Sequence, residues 1–184
     1  VDYYVIGSPS GRYFKDGLAG VAIWVEREYH RAGPGGTGSA KAGGNYAASL
    51  LPQIQAEARG FSQVCFLDTY EGRYLEELGG MNMFVVMADG TVRTPELSGV
   101  ILEGGTRSAI LRMLRDEGVD VREEKIALSQ VVDGIRSGAV AEVFACGTAA
   151  VVTPITRLGS DDFDVELEVG NKTREIHRRL TDIQ

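Results

Sequence analysis

Apolar positions recur in short blocks along this chain, and their period changes from one block to the next. Gly20–Val25 is a continuous apolar run, short enough for a buried strand. Between Tyr46 and Arg59, Leu50, Leu51, Ile54 and Ala58 fall at helical spacing, with Gly60 as a stop. Val64–Leu67 reads as a strand, and Met83–Met87 and Thr91–Thr94 flank Ala88-Asp89-Gly90 as a hairpin would. Thr106–Glu117 predicts an amphipathic helix through Ile110, Leu111 and Leu114, closed by Gly118. A strand is predicted at Asp120–Glu124, a helix at Leu128–Ser137, and a short strand at Glu142–Ala145 leading into Cys146-Gly147-Thr148. Asp164–Val169 alternates, and a polar helix is predicted over Thr173–Asp182. Helices interleaved with strands through short connections predict an α/β domain around a mixed sheet.

Length and charge narrow the partners. The 184 residues suit one domain able to bury its own core. A net charge of -7 with no offsetting basic block argues against nucleic acid or an anionic membrane. No apolar run approaches the roughly 18 residues of a membrane span. Val1–Ile6 is strand-like and lacks a signal peptide's basic region, and without an initiator Met it suggests a protein cut before residue 1. Cys65 and Cys146 are far apart with no CxxC, which points to two unpaired thiols in a reducing cytoplasm. His30 and His177 each stand alone as surface residues, so no metal site is expected. Trp24, Phe61, Phe66 and Phe84 are assigned to the core.

The one composition shift is the glycine-rich Gly33–Gly44. Gly33, Gly35 and Gly38 satisfy G-x-G-x-x-G, and Glu57 stands where a ribose-binding acid belongs. That fingerprint needs its last glycine to open a helix directly, so that free N–H groups meet the pyrophosphate. Here Ser39-Ala40-Lys41-Ala42-Gly43-Gly44 intervenes, and its glycines are expected to postpone the helix. A P-loop fails too, since Ser39 and not a lysine follows Gly38. What remains is Lys41 among small residues. It is either a solvated surface lysine or an amine that a flat cofactor can approach, able to form a Schiff base if kept neutral. Spacing leaves both open.

Four ordered motifs go further. Gly35–Tyr46, Glu76–Phe84 with Thr94-Pro95, Leu102–Arg107, and Glu142–Ala150 with Thr153-Pro154 together resemble the class IV aminotransferases, the branched-chain members in particular. The resemblance covers most of the chain. It implies the C-terminal, cofactor-binding domain of a two-domain enzyme, with the N-terminal domain absent from this chain. Its sheet would be mixed, partly closed into a barrel and flanked by helices.

The resemblance also implies roles. Lys41 would carry pyridoxal 5'-phosphate as a Schiff base and move a proton. Tyr46 would hydrogen-bond the phenolic oxygen, and Glu77 would face the pyridine nitrogen. Thr106 with the N–H groups of Gly105 and Thr106 would hold the phosphate, as a helix start suits an anion on general grounds. Thr148 would add a hydroxyl, the N–H groups of Thr148 and Ala149 would bind the substrate α-carboxylate, and Arg31 would lie near the phosphate. The implied reaction moves the amino group of leucine, isoleucine or valine to 2-oxoglutarate, in a homodimer. D-amino-acid transamination, aminodeoxychorismate lyase chemistry and an inactive isolated domain are the alternatives. Two departures stand out. Glu103-Gly104-Gly105 replaces the usual Pro-Gly-aliphatic stretch, so Glu103 would oppose a bound dianion unless it faces outward. The redox-active CxxC of some members is replaced by Ala150 and Thr153.

Overall fold

The computed structural model describes residues 2–9 and 18–182. Its strands are β1 (Val21–Glu26), β2 (Gln63–Leu67), β3 (Leu75–Leu78), β4 (Asn82–Met87), β5 (Val92–Pro95), β6 (Val121–Glu124), β7 (Val140–Gly147), β8 (Val151–Ser160) and β9 (Phe163–Glu166). The helices are α1 (Gly43–Ala58), α2 (Gly105–Asp116), α3 (Leu128–Ser137) and α4 (Asn171–Thr181). The strands form one mixed sheet in the order β3-β2-β1-β8-β7-β4-β5-β6, with β9 paired to β8. The pairs β1–β2, β1–β8 and β5–β6 are parallel, and the others antiparallel.

Period-two alternation curls this sheet around a core. On β1, β2, β4 and β7, one set of alternate residues enters a single interior cluster: Ile23 and Val25, Cys65 and Leu67, Met83 and Val85, Val143 and Ala145. Their neighbours face outward under helices. Phe84, Val86, Phe144 and Cys146 pack beneath α2 with Ile110, Leu111 and Leu114, and Ile176 of α4 joins them. Trp24, Val64 and Phe66 pack with Phe61 and Ala56 of α1. Leu128, Val131 and Val132 of α3 fill the interior cluster from one end.

The two ends of the sheet then meet. Leu75 N–H donates to Ile126 O and Leu128 N–H to Arg73 O, each at 2.9 Å, and Tyr74 bridges Ala127. The mixed sheet is therefore partly closed into a barrel and flanked by helices, as expected.

Several expectations need correction. Residues 2–6 of the strand-like opening are exposed and without regular structure, and Val1 lies outside the described residues. α1 begins at Gly43, three residues before the predicted start, so the glycines do not postpone the helix; Ala42 is its extended N-cap. The apolar stripe of α1 is outermost, with Leu50, Leu51 and Ile54 49–63% exposed, while Asn45, Pro52 and Ala56 are buried. β3 and the ten-residue β8 have no counterpart among the strands expected from the sequence. Cys65 and Cys146 are free and buried in different clusters.

Candidate active site

The site lies where β3 ends, β4 begins, and β7 turns into β8. Asn82 at the start of β4 pairs with Cys146 near the end of β7, and Gly147 with Val151. Around this rim Lys41, Glu77, Asn82, Leu102, Gly104, Gly105, Thr106 and Thr148 line one cavity of about 250 Å³. An adjoining hollow of about 560 Å³ shares Lys41, Gly80, Met81, Gly147 and Thr148 and adds Tyr46, Ala149 and Leu50. The structure thus brings together Lys41, Glu77, Gly105, Thr106 and Thr148, with Tyr46 and Ala149 next to them.

Glu77 is buried, and among the described residues its two polar contacts fall on Oε1: an ion pair with Arg31 and a 2.8 Å bond from Leu102 N–H. Burial pushes its carboxyl up to about 7, and Arg31 and the Leu102 N–H pull it back only in part. A second cation beside Oε2 would restore the charged form, so the group suits a partner with a proton to share.

Arg31 does not sit at the start of α2. Its guanidinium is buried against Glu77, donating also to Gly38 O at 2.8 Å and Val100 O at 2.6 Å. Three segments are thereby fastened together: the glycine-rich loop, β3, and the stretch leading to α2. Gly38 is required at this contact, because a Cβ there would lie 2.3 Å from Val100 O.

The start of α2 is open to an anion. Its N-cap, Gly104, takes φ +71° and offers no side-chain cap, leaving the first N–H groups and the helix dipole toward the cavity. Asn82 sets this turn, donating to Leu102 O at 2.7 Å, while a Cβ on Gly104 would come 2.0 Å from Asn82 Oδ1. Leu102 is pinned on both sides, its N–H by Glu77 and its carbonyl by Asn82. Glu103 is exposed and faces a separate surface hollow with Arg107, Ser108 and Arg112, away from the cavity. Its charge is directed outward.

Lys41 is exposed on the loop before α1, and among the described residues no hydrogen bond or ion pair holds its amine. Its backbone is fixed by Asn45, which is buried and bonded to Thr37 and Ala40. Asn45 and Asn82 are the site residues to which sequence reasoning gave no role. An asparagine right after two glycines at a helix start is a usable signal, since its amide can satisfy loop carbonyls that glycines leave bare. Cys146 also lines the cavity, with burial pushing its thiol up to about 12, so it stays a neutral wall.

A carboxylate with one oxygen unbonded among the described residues, an uncapped helix start and a reachable amine around one cavity fit an aromatic phosphate ester that bears an aldehyde. The family described as Amino-transferase class IV matches residues 19–158. The branched-chain-amino-acid aminotransferase of Mycobacterium tuberculosis is 48% identical over 99% of this chain and 51% of its own length. Among solved structures, the branched-chain amino acid aminotransferase of Escherichia coli superposes with a TM-score of 0.80 at 30% identity, over 96% of this chain and 55% of that one. A T.th. branched-chain amino acid aminotransferase complexed with N-(5'-phosphopyridoxyl)-L-glutamate gives 0.73 at 30%, over 89% and 51%. The chain spans about half the length of the relatives it matches. Matched along most of its length by sequence and by fold, this chain belongs to the class IV aminotransferases.

Proposed function

We propose that the protein transfers the amino group of branched-chain L-amino acids to 2-oxoglutarate, using pyridoxal 5'-phosphate bound through an imine to Lys41. The observation that carries this reading is the single cavity lined by Lys41, Glu77, the open start of α2 and Thr148. The branched-chain names of the relatives and the phosphopyridoxyl-glutamate ligand of the T.th. structure support the substrate and cofactor classes.

When bound, the cofactor supplies an electron sink for the charge that develops at the substrate Cα. The chain's own residues do the rest. Glu77 Oε2 holds a proton on the ring nitrogen, and Arg31 keeps the carboxylate in place from behind. The N–H groups of Gly105 and Thr106 and the hydroxyls of Thr106 and Thr148 take the phosphate at the positive end of α2. Tyr46 donates to the phenolic oxygen. The N–H groups of Thr148 and Ala149, on the turn between β7 and β8, receive the substrate α-carboxylate. Lys41 Nζ, freed by the incoming amine, would take the proton from Cα and deliver it to C4′, on the far side of the substrate nitrogen. The open side of the larger hollow would be closed by an N-terminal domain, and the working unit would be a homodimer.

Lys41→Ala tests the assignment directly. Transamination by the intact protein should fall at least about a thousandfold, the scale of losing a general base and covalent anchor together, and borohydride should no longer fix cofactor to the chain. Undiminished activity refutes the role of Lys41. A panel of L-leucine, L-isoleucine, L-valine and D-alanine checks the substrate class; greatest turnover on D-alanine overturns the branched-chain reading.

A further inference from the structure

The loop that carries Lys41 has little stiffness of its own. Gly33, Gly35, Gly36 and Gly38 precede the lysine, and Gly43 and Gly44 follow it. Effective chemistry at Nζ nevertheless demands a fixed origin for the side chain, since a small misplacement of a reacting group costs orders of magnitude in rate. The lysine's own side chain provides no anchor, so the anchor must act on the backbone.

Asn45 fits that requirement. It sits in the first turn of α1, 4% exposed, with both ends of its amide engaged. Its Nδ2 donates to Thr37 O at 2.8 Å and to Ala40 O at 2.9 Å, and its Oδ1 accepts from Thr37 Oγ1 at 2.8 Å. Thr37–Ala40 is itself a turn, closed by Ala40 N–H donating to Thr37 O at 2.9 Å. The carbonyl of Ala40 belongs to the peptide plane that leads into Lys41, and Ala42 N–H donates to the same oxygen at 3.0 Å. One side-chain amide therefore grips both ends of the turn and the plane from which Lys41 departs. Arg31 holds the middle of that turn at Gly38 O.

We infer that Asn45 is a positioning residue: it aims Lys41 into the cavity opposite Glu77 by clamping the Thr37–Ala40 turn to α1. The inference rests on the reading of Lys41 as the cofactor-binding amine. The chemistry of the clamp is specific, because it needs two N–H donors and one acceptor on a side chain of this length. Asparagine provides them; aspartate, of the same shape, would set a carboxylate against two carbonyl oxygens.

The test compares wild type with Asn45→Ala, Asn45→Asp and Thr37→Val in the intact protein. Two readouts are followed below all the unfolding midpoints: amide exchange of residues 38–42 without cofactor, and the rate of imine formation with added pyridoxal phosphate, trapped by borohydride at Lys41. Asn45→Ala and Asn45→Asp should each speed exchange and slow imine formation about tenfold, with kcat lowered and KM for the amino acid little changed. Thr37→Val, which loses one bond of three, should slow it about two- to threefold and serves if the other variants do not fold. Loss of thermal stability with unchanged imine formation would mark Asn45 as merely structural and overturn the inference. An adduct that forms at Lys41 equally fast in wild type and Asn45→Ala sinks this inference alone. Absence of the adduct from wild type sinks it together with the reading of Lys41.

Discussion

Glu76 and Glu77 are consecutive on β3, and a strand turns consecutive side chains to opposite sides. Glu77 faces the cavity with Lys41, while Glu76 lines another of about 250 Å³ with Tyr74, Ser98, Val100 and Lys125. Burial pushes the Glu76 carboxyl up to about 7, Asp68 adds to it, and Arg31 and Ser98 pull it back in part. A folded-state value above the unfolded 4.5 means that Glu76 supports the fold when protonated. That support is complete below 4.5 and is lost as pH rises through 7. Glu76→Gln should match wild type near pH 5 and exceed it by about 1–2 kcal/mol at pH 8, since the carboxyl still reaches cavity solvent. Urea midpoints at the two pH values check this; an offset that does not change with pH contradicts it. Apart from the family resemblance, two adjacent acids look like a solvated pair, because nothing in EEL announces that Arg31, forty-six positions upstream, will meet one of them. Motif resemblance names Lys41 and Glu77 as candidates and the structure sets both on one cavity; Asn82 shows itself through its bond to Leu102, and Asn45 through its bonds and its place after two glycines.

Elements whose pattern reports one-sided burial were read well. Leu128, Val131, Val132 and Ile135 recur at helical spacing with Gly138 just beyond, and α3 spans the predicted residues. The failures have physical causes. β8 carries Pro154 and Gly159 and is buried over most of its length, so it shows no alternation, and Pro154 reads as a break although it lies in register with Phe144. α1 displays an apolar stripe that this chain leaves exposed, so periodicity locates the helix while Asn45, Pro52 and Ala56 mark the face that packs inward. At α2 the decisive feature is its N-cap. Gly104 combines φ +71° with a Cα so near Asn82 Oδ1 that a methyl group would break the Asn82–Leu102 bond. Gly104→Ala should weaken cofactor binding tenfold or more, about 1.4 kcal/mol, while Lys41 still forms its adduct at saturating cofactor. Titration of the apoprotein with pyridoxal phosphate gives the constant; a value within about twofold of wild type would show that the turn tolerates the side chain.

Barrel closure belongs to the whole molecule, and no local pattern carries it. The seam joins residues 73–75, entering β3, to residues 126–128, entering α3, through backbone bonds that any sequence can make. What makes those bonds persist is the packing behind them. Ile126 is fully buried in the interior cluster, and its carbonyl accepts from Leu75 N–H. Shortening it should leave a cavity where the sheet's two ends meet, at a cost of about 2–4 kcal/mol for Ile126→Ala. In a domain of this size that lowers the thermal midpoint by roughly 5–15 °C. Leu50→Ala is the matched comparison: the same kind of truncation on the exposed face of α1 should change stability by less than about 0.5 kcal/mol. Calorimetry of both variants separates a barrel held shut by its filling from a sheet whose ends meet only by backbone pairing. Equal losses in the two would mean that the seam is not where the interior core bears on closure.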